Sequence, residues 1–333
     1  MTDSAKPLGE FDLIERFFKN RANQQLKNHP EIHLGIGDDC ALIGVEKSLN
    51  TSDLKDLAIS TDMLVEGRHF LPNADPYLLG HKCLAVNLSD LAAMGARPLG
   101  FTLAIAMPEV KAAWLEAFSN GLFDLANQHQ CPLIGGDTTA GPLTISITVF
   151  GRVSGDEALA RHKAQVGDDR LALWAVRLEW PLSAEEFNTV SSRMHAPTPR
   201  VNLGQKLLGI AHAAIDISDG LLGDLSHILR QSKVSAEVLI DQVPGSTVLS
   251  SKSLELQRLC KLSGGDDYEL CFTASSEMSA AINDLSKELG LALTKIGKIT
   301  SSSTQLMNLI DGDGHPLPPN LSAQYLKSFD HFK

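Results

Sequence analysis

Positive charge is what this sequence has too little of. Its 29 lysines and arginines face 40 aspartates and glutamates, a formal net charge of −11, and no basic cluster offsets the deficit. A protein that wraps nucleic acid by neutralising phosphates needs the opposite balance, so that class is excluded. Long apolar runs are missing too: none approaches the roughly eighteen residues needed to span a bilayer. The start, Met1-Thr2-Asp3-Ser4-Ala5-Lys6-Pro7, lacks the basic-then-apolar order of a signal peptide. Five cysteines, Cys40, Cys83, Cys131, Cys260 and Cys271, form no C-x-x-C pair and no zinc spacing. Odd in number and scattered, they read as reduced thiols, mostly buried as small apolar groups. These absences predict a soluble cytoplasmic protein with neither a membrane nor a nucleic-acid partner.

The familiar phosphate-handling motifs are also absent. There is no G-x-x-x-x-G-K-[ST], hence no P-loop. Gly35-Ile36-Gly37 lacks the third glycine of a dinucleotide fingerprint. No protein-kinase signature set, G-x-S-x-G elbow or H-E-x-x-H occurs. If ATP is handled here, metals and glycine turns on another fold must do it.

What is present is a repeated grammar of an apolar run, small residues and then aspartate. It is clearest in Leu133-Ile134-Gly135-Gly136-Asp137-Thr138-Thr139, which predicts a strand running into a tight turn. Glycine there lets a bulky ligand approach the backbone. Asp137 and the threonines offer the hard oxygens that Mg²⁺ prefers, although a solvated turn would look the same. The grammar recurs at Leu34–Asp39, Ala58–Asp62, Val86–Asp90, Ala214–Gly220 and Leu262–Asp267. Converging, these six expected turns would make an acidic basin, repelling any anionic ligand unless several divalent cations sat in it. A site for Mg²⁺ and a polyphosphate is the economical reading.

A chain of 333 residues, 43% hydrophobic and 21% charged, accommodates two domains with cores of their own. Residues 9–29 predict an amphipathic packing helix carrying Phe11, Ile14, Phe17 and Phe18. A polar connection over 45–57 precedes a strand over Leu57–Ser60. His69 is open to a core, surface or functional role. The spacing predicts a helix from Pro76 to Met94; Asp90 within it must reach water or coordinate something. A strand over Phe101–Met107, a helix over Glu109–Gln128 and a strand over Leu143–Gly151 complete an α/β rhythm. Composition turns polar around Gly151–Asp156, placing the boundary between domains 1–152 and 153–333. Beyond it, Arg161 reads equally as a phosphate partner or a solvated surface residue. Asp216-Ile217-Ser218-Asp219-Gly220 opens a helix over Leu221–Gln231, where Ser218 or Asp219 would also serve as an N-cap. Gly264-Gly265-Asp266-Asp267-Tyr268-Glu269 leads into a strand over Leu270–Thr273, followed by a helix over 277–289 and a strand over 291–299. Asp311-Gly312-Asp313-Gly314 reads as a turn, lacking the ligand series of a calcium loop.

Taken together and in order, Gly35–Ala41, Ser60-Thr61-Asp62, His69-Phe70, Asn87–Ala96, Gly135–Thr139, Asp216–Gly220 and Gly264–Leu270 resemble the thiamine-monophosphate kinase family across nearly the whole chain. The resemblance implies the two-domain α/β (α+β) fold shared with aminoimidazole ribonucleotide synthetase, with N-terminal domains pairing in a homodimer. It implies ATP-dependent phosphorylation of thiamine monophosphate to thiamine diphosphate, assisted by several Mg²⁺ ions. Residue by residue, it assigns Mg²⁺ to Asp39, Ser60, Thr61, Asp62, Asp90, Asp137, Asp216 and Asp219. It assigns ATP to Gly136, Asp137, Arg161 and Ser218, and thiamine phosphate to His69, Asp266 and Phe329. An aromatic such as Phe329 suits a planar cationic heterocycle. Joining two phosphates needs charge neutralisation and alignment rather than a strong base, so no covalent phosphoenzyme is expected.

Two departures stand out. Family members commonly carry Glu at Asp266, where this side chain reaches one methylene less far. From Asp169 to Met194 the family pattern is lost, and no glycine occurs from Asp168 to Leu203. Two rivals frame the reading. Another ATP-using enzyme of the superfamily is one; a selenophosphate synthetase would need a reactive Cys before a Gly-rich arm, which nothing before Glu31 supplies. A divalent-metal-stabilised nucleotide-binding scaffold without activity is the other, and it would need the aspartates but not His69 or Asp266.

Overall fold

The chain, described by a computed structural model over residues 13–45, 56–173 and 193–326, builds two six-stranded sheets. The first contains β1 (Ile32–Leu34), β2 (Ala41–Ile43), β3 (Asp56–Val65), β4 (Arg97–Met107), β5 (Leu133–Ala140) and β6 (Thr144–Val153). Its order is β1-β2-β3-β6-β4-β5. All neighbours are antiparallel except β4 and β5, which are joined by the helix Ala112–Gln128, since a parallel pair needs a long crossover. The second contains β7 (Asp168–Leu173), β8 (Ala213–Asp216), β9 (Ser235–Leu239), β10 (Leu270–Ser275), β11 (Thr294–Thr300) and β12 (Met307–Ile310), in the order β12-β9-β11-β7-β10-β8. Only β12 and β9 run parallel there.

The helix Pro76–Ala93 is the keystone. Asp75 caps it by accepting from the Leu78 amide at 3.0 Å, and Pro76 occupies its first turn, a strong start signal. Thirteen of its 18 residues are buried, so it has no solvent face, as a helix enclosed on all sides must. It packs on β3 and β6, against Ala112–Gln128, and against the helix Val201–Leu207 and β8 of the second half. The larger apolar cluster accordingly runs through both halves, joining Leu84, Leu88 and Phe101 to Leu203, Ala214 and Phe272. A second cluster, with Leu225, Val238 and Ile296, lies wholly in the C-terminal half.

Two helices of the first half meet backbone to backbone. A Cβ at Gly80 would stand 2.0 Å from the Phe118 carbonyl oxygen, and one at Gly121 1.9 Å from that of Tyr77. Gly80→Ala is therefore expected to lower stability by about 1–3 kcal/mol through overpacking. An unchanged urea midpoint would refute that close approach.

Three expectations are corrected by the fold. Residues 14–26 form a π-helical segment, Ile14–Lys19, and an α-helix, Asn20–Leu26, neither with a buried residue. Phe17 and Phe18 are exposed, so the expected packing face does not pack; Phe11 lies outside the described residues, as do residues 46–55 of the polar connection. Gly135-Gly136 does not end a strand: β5 continues to Ala140 in parallel register with β4, Gly136 opposite Leu103. Gly136 holds φ +149°, and a Cβ there would meet the Leu103 carbonyl oxygen at 1.8 Å, so the glycine serves close strand pairing. Nor does Asp62 cap a turn: it lies within β3, whereas Asp90 lies in the helix expected over Pro76–Met94. Hydrogen bonding along the sheet overrides the local glycine and serine signals. The atypical stretch begins inside β7, which pairs with both β10 and β11. Its residues 174–192 lie outside the described residues. All five cysteines are buried and free.

Candidate active site

Four elements, three from the first half and one from the second, carry the acidic centre. Asp39 follows β1, Asp62 lies on β3, Asp90 near the end of the Pro76–Ala93 helix, and Asp216 at the end of β8. One carboxylate oxygen each of Asp39, Asp90 and Asp216 falls within 4.8 Å of the others. Asn87, wholly buried, fixes β3 to the helix: its Oδ1 accepts from the Asp62 amide at 3.1 Å and its Nδ2 donates to the Cys83 carbonyl at 3.0 Å. Ser60 donates to Asp90 Oδ2 at 2.5 Å.

Charge in this centre is unbalanced. Burial, then repulsion from Asp62, Asp216 and Asp39, pushes Asp90 well above the usual carboxylate range. Burial and Asp39 do the same to Asp216. Asp38 is pushed up to about 7 by burial and Asp39. Arg161 supplies the counter-charge: its Nη2 and Nε donate to the two oxygens of Asp39 at 2.5 and 3.2 Å. Its amide donates to Asp38 Oδ2 at 3.1 Å. One guanidinium cannot neutralise this many carboxylates. Buried, mutually repelling hard oxygens are the donor set that Mg²⁺ takes, and Asp39, Asp90 and Asp216 fit such an ion.

The loop after β8 is set by a residue the sequence reading missed. Gly220 begins the helix Leu221–Ser232 with no side-chain cap. Buried Asp224, in that helix's first turn, instead accepts from the amides of Ser218 and Asp219 at 3.0 and 3.1 Å. The expected N-cap roles of Ser218 and Asp219 are thus not taken. The next loop docks on this one: the amides of Asp266 and Tyr268 donate to the carbonyls of Ser218 and Ile217 at 2.7 and 2.8 Å.

A second cluster lies where the halves meet. His69 Nδ1 accepts from the Val65 amide at 3.0 Å, which puts the neutral ring's proton on Nε2. Asp266 accepts from Lys82 Nζ at 2.7 Å and from the Tyr268 hydroxyl at 2.9 Å. Lys82 escaped the sequence reading because a lysine in a helix ordinarily marks a solvent face; Asn87 lay within a motif that could have flagged it.

Not every candidate joins these groups. The Thr61 hydroxyl pairs with that of Thr148 at 2.9 Å, on the face of β3 opposite Ser60 and Asp62. Gly136 and Asp137 are exposed on β5, at the sheet's edge. Phe329 lies outside the described residues.

Residues 37–153 match the AIR synthase related protein, N-terminal domain, and residues 180–307 its C-terminal domain. A thiamine-monophosphate kinase of Haemophilus influenzae is 41% identical, with 98% of each chain covered. That of Salmonella typhimurium is 43% identical, covering 97% of this chain and 98% of its own. The crystal structure of thiamine-monophosphate kinase from Stenotrophomonas maltophilia has a TM-score of 0.73 at 41% identity, covering 94% of this chain and 99% of that one. AaThiL complexed with AMPPCP and TMP has a TM-score of 0.76 at 25% identity, covering 99% and 100%. With its AIR synthase-like two-domain fold, the chain belongs to the thiamine-monophosphate kinase family.

Proposed function

We propose that this protein transfers the γ-phosphoryl group of ATP to thiamine monophosphate, giving ADP and thiamine diphosphate. The observation that carries the reading is the meeting of Asp39, Asp90 and Asp216, drawn from both halves of the chain, within 4.8 Å. Such a centre suits a reaction in which two anions must approach each other. The membership of the family and the AMPPCP- and TMP-bound relative support the choice of substrates.

In this reading Asp39, Ser60, Asp62, Asp90 and Asp216 hold Mg²⁺, with Asp219 on the loop after β8 beside them; Thr61, whose hydroxyl faces the other side of β3, and Asp137, on the outer strand β5, stand apart from that centre. When bound, Mg²⁺ neutralises the phosphates of donor and acceptor. Gly136, Asp137, Arg161 and Ser218 bind ATP; His69, Asp266 and Phe329 bind thiamine monophosphate. The acceptor is a phosphate oxygen, already nucleophilic, so the residues align and shield charge rather than remove a proton. Transfer is direct, with no phosphoenzyme. Domain 1–152 supplies most of the acidic centre and domain 153–333 completes it. Pairing as a homodimer through the first sheet is supported by the exposed outer strand β5 and by Met63 and Ile134, 57% and 62% exposed. Among the described residues no helix is long and apolar enough to cross a membrane, consistent with action in the cytoplasm.

The test is product formation. Purified protein with ATP, Mg²⁺ and thiamine monophosphate is expected to yield thiamine diphosphate and ADP in equal amounts on chromatography, and Asp137→Asn to abolish the yield. Stabilisation by ATP without product would sink the kinase reading and leave a nucleotide-binding scaffold.

A further inference from the structure

The Lys82–Asp266 pair has no part in the roles assigned above, beyond the contact of Asp266 with substrate. Lys82 is buried on the Pro76–Ala93 helix. Its ammonium donates to Asp266 Oδ2 at 2.7 Å and lies 3.5 Å from the His69 carbonyl oxygen. Burying an ammonium is costly unless it is paired. The Lys82 side chain is only 5% exposed, against 28% for its partner, so the pair is open on the side of the carboxylate. A lysine ammonium has three donors that turn about a flexible stem, enough to serve Asp266 and a further anion together.

Both partners have firm mounts. Lys82 is set in the most enclosed helix among the described residues. Asp266 and Tyr268 adopt φ of +67° and +53°, conformations costing of order 1 kcal/mol each for such residues. The two backbone bonds to Ser218 and Ile217 keep them there. Eight residues beyond Lys82, about 12 Å along the axis of the same helix, Asp90 belongs to the acidic centre. One helix therefore carries both the ammonium and part of the acidic centre. A cavity of about 20 Å³ beside this pair is lined among others by His69, Phe70, Leu78, Lys82 and His195.

Given the kinase reading, on which this step rests, the acceptor carries charge of both signs: a phosphate and a cationic thiazolium ring. We propose that Lys82 is the cation that recognises the acceptor's phosphate while it stays paired with Asp266. The ion pair then offers each sign of charge to a substrate that carries both, and Lys82 discriminates thiamine monophosphate from thiamine. No bond is made or broken in this step; one anion joins another at the ammonium.

The experiment compares Lys82→Met, similar in length but uncharged, with wild type. KM for thiamine monophosphate is expected to rise about tenfold or more, with KM for ATP and calorimetric affinity for thiamine changed less than about twofold. Equal rises in both KM values, a parallel loss of thiamine affinity, or no change would overturn the proposal. Should that variant not melt cooperatively, Asp266→Asn, which releases the ammonium, reads the same question. It is expected to raise the ratio of thiamine monophosphate to thiamine affinity by about threefold, and a constant or falling ratio would overturn the proposal. Wild-type protein that makes no thiamine diphosphate sinks the kinase reading and this inference together; wild-type turnover with an unchanged Lys82→Met sinks the inference alone.

Discussion

Asp216→Asn is expected to cut thiamine diphosphate formation about 100- to 1,000-fold while making the metal-free protein harder to melt near neutral pH. Both effects come from one arrangement. Asp216 and Asp90 are buried beside Asp39 and Asp62, and each has its pKa raised from the ordinary value of 3.8 by burial and by its acidic neighbours. A carboxyl raised in the folded state holds its proton there more tightly than in the unfolded chain. The stability it contributes is present below about pH 4 and is lost as pH climbs through the folded-state value. Metal-free wild type should therefore melt at progressively lower temperature as pH rises from about 5 to 8. Mg²⁺ should restore more at each step, because the cation takes the place of protons. Asparagine carries no charge to repel Asp39 or Asp90, so the variant's melting curve should be flatter with pH and should gain less from Mg²⁺. Thermal melts in EDTA and in Mg²⁺ across this range, beside a turnover assay, measure it. A wild-type melting temperature that ignores both pH and Mg²⁺ would show that the carboxylates are not a metal centre.

Glu269→Ala should cost about 3–5 kcal/mol of stability. Glu269 is 1% exposed, and its two oxygens accept from Arg200 Nε and Nη2, both at 2.7 Å. Arg193 Nη2 joins at the same carboxylate. Truncation would leave the Arg200 guanidinium, 12% exposed, without this carboxylate in a place water scarcely reaches. Arg193, 43% exposed, can turn to solvent and should contribute little. The double variant Glu269→Ala with Arg200→Met is therefore expected to recover a good part of the loss, because removing both charges is cheaper than taking the carboxylate from a buried guanidinium. Urea unfolding measures this. A double variant no more stable than Glu269→Ala alone would show that packing, not the buried charge, sets the cost. The pair also matters to the site, since Glu269 directly follows the loop that presents Asp266, and its amide neighbourhood continues into β10.

The two predictions divide along what could be read from residues in a row. The apolar spacing from Pro76 to Met94 announced the central helix, since helical periodicity is a local signal, and the structure adds the Asp75 cap. Recurrent aspartates beside small residues, with no P-loop to compete, already pointed to hard cations and phosphate, because ligand chemistry is a property of side-chain type. The motifs in order identified the resemblance, and the matching family domains and relatives bear it out. At Asp62 and Gly135-Gly136 the sequence points to turns that the structure lacks, because glycine and serine next to aspartate look the same in a turn and in a strand paired on a sheet.

Which carboxylates meet was decided only in three dimensions. Asp39, Asp90 and Asp216 converge because one helix is buried between the halves, touching β3 and β6 on one side and β8 on the other. The same burial turns Lys82 from an ordinary helical lysine into an ammonium facing Asp266. Local sequence determined the chemistry that each residue could offer. Docking of the two halves around the Pro76–Ala93 helix decided which of them act together, since distance and desolvation depend on contacts that no stretch of sequence contains.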